Sequence, residues 1–383
     1  MTSLGNARLA AIAPSAIRAI HDRRRPTSID LGMGQPTLHP DIEPFEVALA
    51  WVREHGSPYA PPGGLPELRE AAARIYGGHF HAAPSNAAVL NGSQEGIFLA
   101  IKALCDPAHD EVLITDPAYL SYARCCELEG VPHRAVPLSA HDGFAIHADA
   151  LLGAVTPNTK LIMIGSPGNP TAAVMDEREL RRLARGLIER KGPPVYVVVD
   201  EVYRELTFTG KPYPSLLDQY PNSIGLQSLS KSCALTGLRL GFFFGPAAVV
   251  DAVTRAHSLI MLNVNQFAQR VALDILRDPQ RLRAHHPWYV AQRQVLLDAA
   301  SRNGLRIIEP QGSFYSLAAL PEAWSSSEAA ASHLLERYDV VTIPGAIFGK
   351  RAEGYLRLSW VAETAALARG IERIAEFCAS APG

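Results

Sequence analysis

Lys231 closes the run Ser228-Leu229-Ser230-Lys231, and an arginine, Arg239, follows within Gly237-Leu238-Arg239-Leu240-Gly241. A lysine amine flanked by small hydroxyl residues is a candidate Schiff-base nucleophile. Ser228, Ser230 and Arg239 supply hydroxyl and guanidinium donors suited to a phosphate dianion. Upstream, the apolar run Val195-Tyr196-Val197-Val198-Val199 ends in Asp200-Glu201-Val202-Tyr203. A carboxylate at the end of such a run is expensive to bury unpaired, so Asp200 needs a positive partner from the protein or from a ligand. Asn91-Gly92-Ser93-Gln94-Glu95 passes from a strand straight into a helix, where backbone N–H groups are able to hold a phosphate; a glycine before a helix is also ordinary turn chemistry. In Ser166-Pro167-Gly168-Asn169-Pro170-Thr171 two prolines bracket Gly-Asn and fix the Asn169 side chain. A structural turn needs the Gly and the Pro but not the Asn, so both readings stay even there. Taken singly, Lys231 reads as a solvated surface lysine; in order with Asn169, Asp200, Tyr203 and Arg239, the functional reading dominates.

The elements that must position these residues follow from the hydrophobic pattern. Between Val89 and Gln227 short apolar runs alternate with helical stretches, the rhythm of a parallel α/β sheet. Strands are expected near Ala88–Leu90, Glu111–Thr115, Pro132–Pro137, Lys160–Gly165, Val195–Asp200 and Ser223–Gln227, with helices at Ser93–Cys105, Tyr119–Glu129 and Asp176–Arg190. Runs such as Leu161-Ile162-Met163-Ile164 are apolar on both faces and imply helices on both sides of the sheet. In such sheets ligands bind outside the carboxyl ends of the strands, where the polar residues above fall. After Gly245 long helices are expected at Ala247–His257, Gln266–Leu276 and Gln280–Asn303. A smaller α+β unit follows, with strands near Leu305–Ile308, Phe314–Leu317, Val340–Ile343 and Tyr355–Ser359 and helices at Ser327–Tyr338 and Glu363–Cys378.

The 383 residues suffice for a large core, and a formal charge of 36 − 38 = −2 gives no global reason to expect nucleic acid, a membrane surface or a strongly acidic partner. No apolar run is long enough to cross a bilayer, and Met1 to Ile20 lacks the pattern of a secretory leader, so a cytoplasmic address is expected. Five scattered cysteines, an odd number, argue against a disulfide framework. His79/His81 and His285/His286 stand outside any longer zinc-like array, and no metal is expected.

These residues, with Gly32-Met33-Gly34-Gln35-Pro36, Tyr59-Ala60-Pro61-Pro62-Gly63-Gly64-Leu65-Pro66-Glu67-Leu68-Arg69 and Tyr355-Leu356-Arg357-Leu358-Ser359, form an ordered motif set over nearly the whole chain, from a helix around Ile12–Ile20 to the last helix. The chain resembles the fold-type I pyridoxal-phosphate-dependent aminotransferases of class I/II, in their aspartate-aminotransferase-like branch. The resemblance implies an α/β fold with a mostly parallel seven-stranded sheet in a large cofactor domain, residues 39–283, and a smaller α+β domain made of residues 1–38 and 284–383.

It also implies roles. Lys231 forms the Schiff base with pyridoxal 5′-phosphate and then acts as general base and acid; Asp200 pairs with the pyridinium nitrogen; Asn169 and Tyr203 hydrogen-bond the phenolic oxygen; Tyr119 stacks on the ring. Ser93 and Gln94 amides, Ser228, Ser230 and Arg239 hold the phosphate, and Tyr59 reaches the phosphate of a neighbouring subunit in a homodimer. Arg357 grips the substrate α-carboxylate, with Gly34 close to it and Asn169 also counted among the substrate-binding residues; read alone, Arg357 is a strand arginine paired to an acid. The implied reaction moves an amino group between an α-amino acid and a 2-oxo acid by ping-pong turnover. A lyase or cyclase acting at Cα or Cβ on the same scaffold is the alternative. Gln94 stands where some of the branch carry a lysine, which leaves neutral, aromatic and larger substrate side chains open beside aspartate.

Overall fold

Twelve strands are present among the described residues of the computed structural model: β1 (Ile29–Asp30), β2 (Ala87–Leu90), β3 (Glu111–Asp116), β4 (His133–Pro137), β5 (Thr159–Gly165), β6 (Tyr196–Asp200), β7 (Ser223–Ser228), β8 (Gly241–Phe244), β9 (Tyr315–Ala319), β10 (Val340–Val341), β11 (Ile343–Pro344) and β12 (Tyr355–Ser359). The structure describes residues 5–12, 14, 16–81 and 83–380. Seven strands form one sheet in the order β2-β8-β7-β6-β5-β3-β4. From β4 to β7 every pair is parallel, while β8 runs antiparallel to both β7 and β2. The mostly parallel seven-stranded sheet is thus present.

Its two faces are buried by alternate residues of the same runs. Leu161, Met163 and Val198 pack with Ile97, Ala100 and Ile101 of the helix Ser93–Leu104. Ile162, Ile164, Val197 and Val199 pack the other way, against Leu180, Leu183 and Leu187. Those leucines lie on one side of the helix Glu177–Glu189, which starts where the Asp176 carboxylate accepts the Arg178 N–H at 2.8 Å. Each fully buried Val, Leu or Ile contributes ~1.5–3 kcal/mol against exposure, so the strand register is strongly fixed. That register sets Gly165 opposite Asp200 and Asp200 opposite Leu226, bringing the carboxyl ends of β5, β6 and β7 together.

A three-stranded antiparallel sheet, β11-β12-β9, carries Arg357 at its centre, facing Ile343 on one side and Leu317 on the other. β1 pairs in parallel with β10, tying the N-terminal segment to the C-terminal third. The helices His286–Arg302 and Thr364–Ala379 share a core with these strands through Tyr289, Leu296, Leu367 and Ile371.

Several elements depart from the sequence expectations. β8 was not expected; its short run Phe242-Phe243-Phe244 nevertheless sends Phe242 and Phe244 into one core and Phe243 into the other. Leu305–Ile308 is not a strand: Ile307 makes one isolated bridge to Ala318, and Pro310, which has no N–H, follows closely. Val340–Ile343 divides between two sheets at Thr342. The helix expected from Gln280 begins at His286, with Pro287 in its first turn, where a proline costs no hydrogen bond. The helix expected from Tyr119 begins at Ser121, leaving Tyr119 in the preceding loop. The helix expected around Ile12–Ile20 corresponds to Ala7–Ala11 and Ala16–His21, and residues 13 and 15 lie outside the described residues. Among the described residues no helix is long and apolar enough to cross a membrane, and no cluster of His, Cys, Asp and Glu could hold a metal. All five cysteines are free thiols.

Candidate active site

A cleft of about 170 Å³ opens at the carboxyl ends of β5, β6 and β7. Ten of the residues singled out above line it: Ser93, Gln94, Tyr119, Asn169, Asp200, Tyr203, Ser228, Ser230, Lys231 and Arg239. Gly34 and Arg357 reach it through its walls. Gly34 O accepts from Lys231 Nζ at 3.2 Å, and Arg357 Nη1 donates to Asn169 Oδ1 at 3.4 Å. Tyr59 is the exception, 82% exposed in its loop and outside the cleft.

One end of the cleft is built from donors. Ser93 and Gln94 begin the helix Ser93–Leu104, so their N–H groups have no acceptor within it. Gly92 precedes them at φ +83°, and a Cβ there would stand 2.6 Å from Arg239 Nη2. Gly241 plays the same part from β8, since a side chain on it would collide with Ser93 N. The two glycines therefore let the amide turn and the guanidinium approach each other. Ser228 Oγ lies 2.8 Å from Ser230 Oγ, and Arg239 Nη1 donates to Thr236 O at 2.9 Å. Amides, hydroxyls and a guanidinium with N–H groups left over are a donor set that fits a phosphate.

The floor carries Asp200, which is 8% exposed and forms no ion pair among the described residues. Burial pushes its carboxyl up to about 6, held back by the Tyr122 hydroxyl, the Val202 N–H and the charge of Lys231. Tyr122 Oη donates to Oδ2 at 3.0 Å, and Val202 N donates to Oδ1 at 3.4 Å. These neutral donors do not supply the positive partner that the sequence demanded for Asp200; a protonated ring nitrogen would. Tyr203 Oη donates to Tyr315 Oη at 3.3 Å, and burial holds the Tyr203 phenol well above its ordinary range, with Tyr315 adding to the effect. Lys231 Nζ lies 6.0 Å from the Tyr203 ring centre and 5.6 Å from that of Phe314.

Arg357 is the complementary case. It is 2% exposed, and burial lowers its pKa. The acid partner of the plain structural reading is not found: Arg357 makes no ion pair among the described residues, and its Nε is buried without a hydrogen-bond partner. The guanidinium is instead stacked 4.4 Å from the Tyr315 ring centre and bonded to the Gly32 carbonyl. A buried cation with an orphaned N–H fits a carboxylate brought by a ligand. Gly34 keeps this approach open, because a Cβ there would collide with Tyr315 Oη.

Two lining tyrosines escaped the sequence reading. Tyr122 stands three positions after Tyr119, a spacing that puts both near one side of a helical turn, and that was the available signal. Tyr315 begins β9 after Ser313-Phe314 with no motif to single it out; only the fold brings it to Arg357 and Tyr203.

The family model for aminotransferases of class I and II matches residues 27–374. An aspartate aminotransferase of Pyrococcus horikoshii is 31% identical over 376 residues, covering 96% of this chain and 95% of its own. An aspartate/prephenate aminotransferase of Thermus thermophilus is 30% identical over 380 residues, covering 96% and 97%. The solved structure of aspartate aminotransferase from Thermus thermophilus with maleate superposes with a TM-score of 0.91 at 29% identity, over 98% of this chain and all of that one. With a donor set that fits the cofactor and a match spanning nearly the whole chain, the protein belongs to the class I and II aminotransferases, enzymes that use pyridoxal 5′-phosphate to move an amino group between an α-amino acid and a 2-oxo acid.

Proposed function

We propose that Lys231 would hold the cofactor aldehyde through Nζ until the substrate amine displaces it, and that the amine so freed is the base of the reaction, with the surrounding side chains in the roles that their chemistry suits. The observation that carries the reading is that a buried acid and a buried guanidinium, Asp200 and Arg357, neither in an ion pair among the described residues, stand in or beside the cleft that Lys231 lines. When bound, pyridoxal phosphate supplies an electron-accepting ring that stabilises the charge left on the substrate Cα when its proton departs. Asp200 keeps the ring nitrogen protonated, and the Tyr122 hydroxyl keeps Asp200 ionised for that task. Asn169 and Tyr203 bind the phenolic oxygen, and Tyr119, its hydroxyl 3.1 Å from Gln94 Oε1, covers one ring face. Ser93, Gln94, Ser228, Ser230 and Arg239 hold the phosphate. Arg357 takes the α-carboxylate and so orients the Cα–H bond toward Lys231 Nζ, which removes that proton and returns one to Cα in the opposite half-reaction.

The working unit is a homodimer in which Tyr59 completes the neighbouring phosphate site. Its exposure supports this, as does the apolar tip Leu259, Ile260, Met261 and Leu262, of which Leu259 is 89% exposed. Residues 39–283 form the cofactor domain and residues 1–38 with 284–383 the second domain, a division supported by the pairing of β1 with β10. Five free thiols suit a reducing cytoplasm. A panel of amino donors and 2-oxo acids, read as interconversion of the bound cofactor between aldehyde and amine forms, tests the reading. Turnover should require both partners and convert the added 2-oxo acid to its amino acid; product release that continues without any 2-oxo acid would contradict it.

A further inference from the structure

His257 is 0% exposed, although it is an imidazole on the amphipathic helix Ala247–Ile260. Its Nδ1–H donates to Glu95 Oε1 at 2.8 Å, whereas its Nε2 is buried without a partner. Burying a ring nitrogen unsatisfied is costly, and a leucine would fill the same space without that cost. The retained bond to Glu95 therefore needs a use.

Glu95 stands in the first turn of the helix Ser93–Leu104, directly after the amides of Ser93 and Gln94. Its other oxygen, Oε2, accepts from Asn91 N at 2.7 Å and Asn91 Nδ2 at 3.4 Å, while Glu95 N donates to Gly92 O at 3.2 Å. The Glu95 side chain thus fastens the start of the Asn91–Gln94 turn, and its backbone N–H closes the turn on Gly92. A free carboxylate so near a phosphate would otherwise repel it, and one able to rotate would leave the turn unpinned.

We propose that His257 is a positioning residue for the cofactor phosphate: by holding the Glu95 carboxylate on Asn91, it fixes the turn whose amides meet the phosphate. The proposal rests on the phosphate placement given above. Its test compares equilibrium binding of pyridoxal 5′-phosphate with that of pyridoxal, which lacks the phosphate, by dialysis of the full-length protein. His257→Leu fills the space and removes the donor; His257→Asn offers an amide N–H near the place of Nδ1. The leucine variant should bind the phosphorylated cofactor about tenfold more weakly, with pyridoxal affinity unchanged, and the asparagine variant should recover most of the loss. Glu95→Ala, at a position nearer the surface, should show the same selective loss and serves if the leucine variant does not fold. Equal weakening for both aldehydes, or no weakening, would overturn the proposal. A wild-type protein that binds the two aldehydes alike would instead refute the phosphate placement itself, and Arg239→Ala provides the matching control.

Discussion

The buried carboxyl of Asp200 makes the cofactor-free protein sensitive to pH in a direction that follows from its surroundings. Burial raises this group from 3.8 to about 6. A raised acid binds its proton more tightly in the folded than in the unfolded chain, so its contribution to stability is full below pH ~4 and is lost as pH climbs through ~6. The full difference is about 3 kcal/mol, of which about 2 kcal/mol falls between pH ~4.5 and ~8. Glu201, also buried and pushed up to about 7, acts in the same sense, so wild-type stability alone does not isolate Asp200. Asp200→Asn does, because the amide stays neutral throughout. In urea unfolding of the cofactor-free proteins, the variant should gain about 2 kcal/mol on the wild type between pH ~4.5 and ~8. The same substitution should weaken pyridoxal phosphate binding, since it removes the charge that in the proposed arrangement meets the ring nitrogen. A stability difference independent of pH would refute the reasoning that Asp200 is held as an uncompensated buried acid.

Three further outcomes test neighbouring parts of the site. Tyr122→Phe deletes the hydroxyl that donates to Asp200 Oδ2, pushing Asp200 further up; cofactor affinity at pH ~7 should fall about tenfold and recover toward pH ~9, as read by dialysis. Gly34→Ala drives a methyl group into Tyr315 Oη, whose ring is 3% exposed and has little room to yield; the substrate KM should rise about tenfold with a smaller change in cofactor affinity. Arg357→Lys replaces a forked donor by a point charge in a buried place, and kcat/KM for every amino donor should drop about a hundredfold, mainly through KM.

Much of the fold is legible in particular runs. Leu161–Ile164 and Val195–Val199 are apolar on both faces, and the sheet buries them from both sides. Among the candidate site residues, Asp200 was legible for the same reason, because it ends an apolar run where burial makes a polar group conspicuous, whereas Lys231 stood out only in its order with Asn169, Asp200, Tyr203 and Arg239. Tyr122 and Tyr315 were not, because an aromatic residue suits a core as well as a site, and only the packing of separate elements gives their hydroxyls partners. The status of Arg357 was also hidden. Sequence allows a strand arginine paired with an acid; the three-stranded sheet buries it beside tyrosine and carbonyl groups instead. Strand β8 escaped because its apolar run of three phenylalanines follows directly on the glycine-bounded Arg239 segment.

The central claim is that Lys231 Nζ is the atom that holds the cofactor. Borohydride reduction of the cofactor-loaded protein, followed by proteolysis and mass mapping, addresses it directly. The reduced cofactor is expected on the peptide containing Lys231 and absent from a Lys231→Ala protein that still binds phosphate at Arg239. A label on any other lysine, or an unlabelled Lys231 peptide from fully loaded and active enzyme, would contradict the account.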